Sequence, residues 1–128
     1  MTRRIALALA ACAALAATAP AAGALELASG WLTSDTGEEL RCRVVHVGKK
    51  PATVLVVLVD NTGASIADIT FPGCDGTPLA PNGFCSAVVD GSNSAYCRIT
   101  TSSKQIRGVL TISPESGGSA TVAVPVTK

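Results

Sequence analysis

Four cysteines, Cys42, Cys74, Cys85 and Cys97, follow an amino-terminal stretch with the layout of a cleavable export signal. Thiols delivered to an oxidising compartment become cross-links, and in a chain this short cross-links restrict the accessible folds more than any other feature. The signal has three parts: Arg3 and Arg4 form the positive head, Ile5 to Ala17 the apolar centre, and the Ala/Pro/Gly run to Ala24 the small-residue exit. Ala22 and Ala24 occupy the two positions where a signal peptidase admits only small side chains, so residues 1–24 read as signal and 25–128 as a single exported domain. A spanning helix needs roughly 20 strongly apolar residues, and Pro20 and Gly23 interrupt this alanine-rich run.

A fifth cysteine, Cys12, stands in Leu9-Ala10-Ala11-Cys12, which resembles the lipobox of bacterial lipoproteins. It comes very early and is followed by more alanine instead of a polar tether, which favours cleavage over lipidation. Loss of Arg3 and Arg4 lowers Lys+Arg from 10 to 8 against 9 Asp+Glu, a net charge of −1 for the product. That balance argues against nucleic acid and against an anionic membrane as partners. The domain is large enough for a modest core and small enough to profit from disulfides. At 3% aromatic residues, the core must be aliphatic.

The product shows no helical periodicity. Short β-branched runs alternate with turn residues, the spacing of a sandwich or barrel, so the class is all-β. Leu25 to Thr33 reads as a weak first strand, and Leu40, Cys42 and Val44 alternate with Arg41, Arg43 and Val45 as a half-buried strand does. Thr53 to Val59 is continuously apolar and is expected to be central and covered on both faces. Ser65–Phe71, Phe84–Val89, Ala95–Thr101, Gln105–Ser113 and Ala120–Val126 complete the strands, and the Pro/Gly-rich segment between Cys74 and Cys85 is expected to be a loop.

Four cysteines allow three pairings. Strand position ranks them: Cys42 and Cys97 both face inward on strands distant in sequence, whereas Cys74 and Cys85 bracket the loop. Cys42–Cys97 with Cys74–Cys85 is therefore the expected pairing.

A core-facing cysteine on the second strand, a hydrophobic third strand, and Tyr96-Cys97-Arg98-Ile99 on the penultimate strand together resemble the immunoglobulin-like sandwich. Cys42 to Lys49, followed by Val54 to Asp60, is also similar to repeated surface modules of bacterial exported proteins, with His46 where many of these carry Asn. The resemblance implies a two-sheet immunoglobulin-like sandwich pinned by the Cys42–Cys97 bridge. Two departures from antibody domains stand out: Trp31 precedes the first cysteine, and Tyr96, adjacent to Cys97, points outward.

Chemistry is sparse. His46 is the only histidine, so a hydrolase would depend on it, but its place at a strand end beside Gly48 suits a turn-closing hydrogen bond. No Gly-x-Ser-x-Gly elbow occurs. The cysteines are too widely spaced for zinc, the sole Met is the initiator, and Asp60-Asn61-Thr62-Gly63 lacks the acidic ligands of a calcium loop. No catalytic residue, metal or cofactor is expected. Two surfaces qualify as binding candidates. If Ser102-Ser103 is a two-residue turn, Arg98 and Arg107 oppose each other beside Tyr96 and invite an anion or acidic partner. The cross-linked loop could display Leu79 and Phe84, or Phe84 could tuck beneath it. Sugar binding is disfavoured, because Trp31, Tyr96, Phe71 and Phe84 are scattered. The chain reads as a non-catalytic exported module, periplasmic or extracellular, whose partner is a protein or a cell-envelope component. The alternatives are a protease inhibitor using the 74–85 loop, a His46 hydrolase, and strand donation by Leu25–Thr33.

Overall fold

A computed structural model describes residues 24–128; the signal segment and Cys12 lie outside the described residues. Ten strands follow in order: β1 Leu25–Ser29, β2 Leu32–Ser34, β3 Glu38–His46, β4 Ala52–Asp60, β5 Ile69–Thr70, β6 Asp75–Leu79, β7 Phe84–Asp90, β8 Asn93–Thr101, β9 Ile106–Pro114 and β10 Val122–Thr127. Inward positions of β3 (Leu40, Cys42, Val44), β8 (Ala95, Cys97, Ile99) and β9 (Ile106, Leu110, Ile112) are buried, as period-two alternation requires. With Val54, Val56 and Leu58 of β4, and Ala87 and Val89 of β7, they form an aliphatic core. The Cys42–Cys97 disulfide crosses it, joining β3 to β8 with Cα atoms 6.0 Å apart.

The expected two-sheet sandwich is not what the strands form. They make one nearly closed antiparallel sheet in the order β5-β7-β3-β9-β10-β1-β8-β4-β6, with β2 paired to β8 off this path. The short strand β1 decides this. It pairs along one edge with β8, Leu25 opposite Thr101 through Ala28 opposite Arg98, and along the other with β10, Ala28 opposite Thr127 and Ser29 opposite Val126. A sandwich has no hydrogen-bonded ladder between its layers; here β1 carries the ladder from one to the other. The remaining gap lies between the β5 and β6 ends, and the chain between β4 and β6 laces it. Ile66 donates its N–H to Leu58 of β4, Asp68 and Phe71 donate to Val88 and Ser86 of β7, and Cys74 accepts from Val56 of β4. The Cys74–Cys85 disulfide closes the same gap covalently, Cα to Cα 5.5 Å.

Other expectations change for related reasons. β4 is neither central nor doubly covered: it lies next to the β6 edge, its residues alternate, and Leu55 is 44% exposed. Residues Leu25–Thr33 are split between β1 and β2 around Gly30 and Trp31. Ser65–Phe71 retains only the two-residue β5 and an isolated Val59–Ser65 bridge. Half of the expected 74–85 loop is the strand β6, which pairs with β4 through Ala52–Leu79 and Thr53–Pro78 and tolerates Pro78 because it is an edge strand.

Candidate functional site

Neighbouring strands of the sheet are all antiparallel, and tracing their directions places the loops at two opposite ends. At one end lie the β3–β4 loop (residues 47–51), the β6–β7 turn (80–83), the β8–β9 loop (102–105), the start of β1 and the end of β10. Main-chain bonds tie them together: Val47 donates to Gln105 (2.9 Å), Asn82 to His46 (2.9 Å), and His46 to Gly83 (2.9 Å). All four lysines of the sequence, Lys49, Lys50, Lys104 and Lys128, are at this end, with Arg107 at the start of β9 and Arg43 further along β3. The opposite end carries Asp35, Glu38, Glu39, Asp60, Asp68, Asp90 and Glu115. Of the other two acids, Glu26, opposite Thr100, is on the basic side, and Asp75, opposite Leu55, lies between the ends. A whole-chain sum near zero conceals this separation, and with it a strong dipole along the strands.

His46 organises the basic loop. Its ring is 1% exposed; Nε2 donates to the Lys50 carbonyl (2.6 Å) and Nδ1 accepts from the Gly48 N–H (3.1 Å). Both nitrogens are thus committed to the main chain, and the imidazole shapes the loop that presents Lys49 and Lys50. On the other side, the Ser102 hydroxyl accepts from the Thr53 N–H, Thr101 Oγ1 from Ser103, and Ser103 Oγ from Gln105, holding the Lys104 loop.

Phe84 stands at the same end, on β7 beside β3. Pro81 and Asn82 occupy the middle of a turn closed by Gly83 N–H to Ala80 C=O (2.9 Å), with Asn82 in the left-handed region at φ 61°. Leu79, before the turn, is 6% exposed, and a Cβ on Gly83 would come within 2.9 Å of its Cδ1, so close packing requires glycine there. Cys85 faces inward, so Phe84 faces out and is 82% exposed. The expectation that Leu79 and Phe84 are displayed together is corrected, as is the alternative that Phe84 tucks beneath the loop: Leu79 is part of the main core and Phe84 alone is presented. Phe84 opposes Val45, which in turn opposes Arg107, and Arg43 opposes Val109 one step along. Arg43 and Arg107 therefore sit diagonally across the β3–β9 pair, bordering an apolar cleft of about 360 Å³ floored by Val45, Val109 and Phe84. The Arg107 guanidinium is braced by the carbonyls of Lys104 and Ile106, both at 2.9 Å. Among the described residues the one ion pair is Arg41–Glu39 (2.8 Å), so neither cleft arginine is matched by a carboxylate.

Arg98 and Arg107 are not cross-strand neighbours. β8 pairs with β1, β2 and β4, not β9; Arg98 lies opposite Ala28 and Val57, whereas Arg107 lies opposite Val45. Tyr96 shares the outer face of β8 with Arg98 but packs edge-on against Trp31, ring centroids 5.0 Å apart. Among the described residues no group of three His, Cys, Asp or Glu side chains is placed to hold a metal, and no helix is long and apolar enough to cross a membrane. The two disulfides are consistent with an oxidising, extracytoplasmic setting. Residue-by-residue reading missed the lysine cluster, although its signal is in the chain: taken loop by loop, charged loops alternate in sign. No family model, curated protein or solved structure matches this chain.

Proposed function

We propose that the chain is an exported, disulfide-stabilised, non-catalytic binding module of the bacterial envelope or extracellular space, and that it engages its partner through the basic end around Phe84. The observation that carries this reading is the gathering of every lysine at the end that presents the exposed Phe84 ring, with seven of the nine acids at the far end. Exposed aromatic and cationic side chains lacking internal partners are the usual anchors of a binding surface. The non-catalytic part is supported by His46, whose buried ring serves the main chain.

The test uses the full chain expressed in an exporting host and recovered as processed there. Washed envelope particles of the native host should retain it, and Lys49→Glu/Lys50→Glu should lower retention while Asp35→Asn/Glu115→Gln leaves it unchanged. Equal loss from both double variants, or no retention at all, would refute the assignment of the binding surface.

A further inference from the structure

Resting on that reading, we infer that the partner is an anionic lipid surface, met end-on by the basic pole with Phe84 entering the interface. Three features converge on this. The apolar side chains at the pole, Phe84, Val45 and Val47, are exposed: Phe84 opposes Val45, and Val47, 49% exposed, is the first residue after β3. Cations come from two adjoining loops at the same end, Lys49 and Lys50 on one and Lys104 on the other, tied together by the Val47 N–H to Gln105 bond, so charge and apolar side chains share one pole. Such an arrangement suits a fluid sheet of anionic headgroups over hydrocarbon, which takes apolar side chains and neighbouring ammonium groups together without a matching rigid shape.

The acids complete the argument. Concentrated at the far end, they are repelled by an anionic surface while the lysines are attracted, so the field of the whole molecule orients the tip toward the lipid before contact. Beside the tip, a second cleft of about 430 Å³ has Leu25, Leu27, Ile106 and Val126 as its apolar lining. Lys104 and Lys128 also line it, the composition expected where a headgroup and the first methylenes of a chain would rest.

The experiment is co-sedimentation of the processed chain with vesicles of phosphatidylcholine alone and of phosphatidylcholine mixed with phosphatidylglycerol. Binding is expected to the mixed vesicles only, falling as salt rises. At roughly fivefold per cation, Lys49→Ala/Lys50→Ala should weaken it about 25-fold. Phe84→Ser should weaken it roughly tenfold or more, with the thermal midpoint unchanged because the ring is outside the core. Asp35→Asn/Glu115→Gln should not weaken it. Equal binding to both vesicle types, no binding to either, or full binding by Phe84→Ser with soluble polyphosphate competing as well as lipid would overturn the inference. Lysine-dependent retention by envelope particles without vesicle binding would defeat the lipid inference and leave the binding module standing; failure of both assays would remove both.

Discussion

The two disulfides close rings of very different size, and this yields an ordering that can be measured. Cys42 and Cys97 are separated by 55 residues and Cys74 and Cys85 by 11. By loop-closure entropy the first restrains the unfolded chain by about 4 kcal/mol and the second by about 3 kcal/mol. All four sulfurs are buried, so replacing either pair by alanine adds a similar small cavity cost of about 1 kcal/mol. Nesting changes little, because shortening the outer ring by the inner one alters a logarithm. Cys42→Ala/Cys97→Ala should therefore destabilise more than Cys74→Ala/Cys85→Ala by about 1 kcal/mol, and should lower the thermal midpoint by roughly 15 °C or more. Urea unfolding of the oxidised parent and both double variants reads the difference, with steeper slopes expected in the variants as their unfolded chains expand. The reverse order would refute the reasoning. It would mean that closing the gap between the sheet's two ends in the folded protein outweighs restraint of the unfolded chain.

Three further outcomes follow from the geometry. Gly48→Ala drives a methyl group into the His46 ring, displacing the hydrogen bonds that fix the lysine loop; a loss of about 1–3 kcal/mol is expected by chemical denaturation. Leu79→Ala should cost about 2–4 kcal/mol, whereas Phe84→Ser should stay within about 0.5 kcal/mol, so comparing their midpoints checks which of the two carries the turn. In acid, the Thr62 hydroxyl together with the Ala64 and Thr62 N–H groups holds the Asp60 carboxyl below its ordinary range, and the Thr77 hydroxyl and N–H do the same for Asp75. Groups depressed on folding stabilise above their unfolded value of about 3.9 and lose that contribution as pH falls through the folded value; a stability-against-pH curve should therefore drop below about pH 4, and Asp60→Asn/Asp75→Asn should flatten that limb.

The basic end was partly legible before the structure. Lys49, Lys104 and Lys128 lie after the strands that run toward one end, and Asp35, Asp60, Asp90 and Glu115 end or follow those that run toward the other. Summed along the chain these charges cancel; sorted by strand direction they separate. The Arg98–Arg107 pairing failed because adjacency was inferred from sequence order, and β8 and β9, though consecutive, pair with other strands. Leu79, expected on display with Phe84, is buried instead, because the turn between them lays it over Gly83, a matter of backbone geometry that composition does not carry.

What the sequence by itself determined is the class and the inward faces of the alternating strands, and it ranked first the cysteine pairing that the structure contains. Alternation is a local property: once a segment is extended, the sides of Leu40, Cys42 and Val44, or of Ala95, Cys97 and Ile99, follow from the pleat. Closure of the sheet is not local. It rests on Ser29 meeting Val126 across nearly the whole described chain, and on a crossing segment that bonds first to β4, then to β7, then to β4 again. Any strand edge offers the same N–H and C=O groups to any partner, so only the packed tertiary structure selects which edges meet, and that choice also gathers lysines from distant loops at one pole.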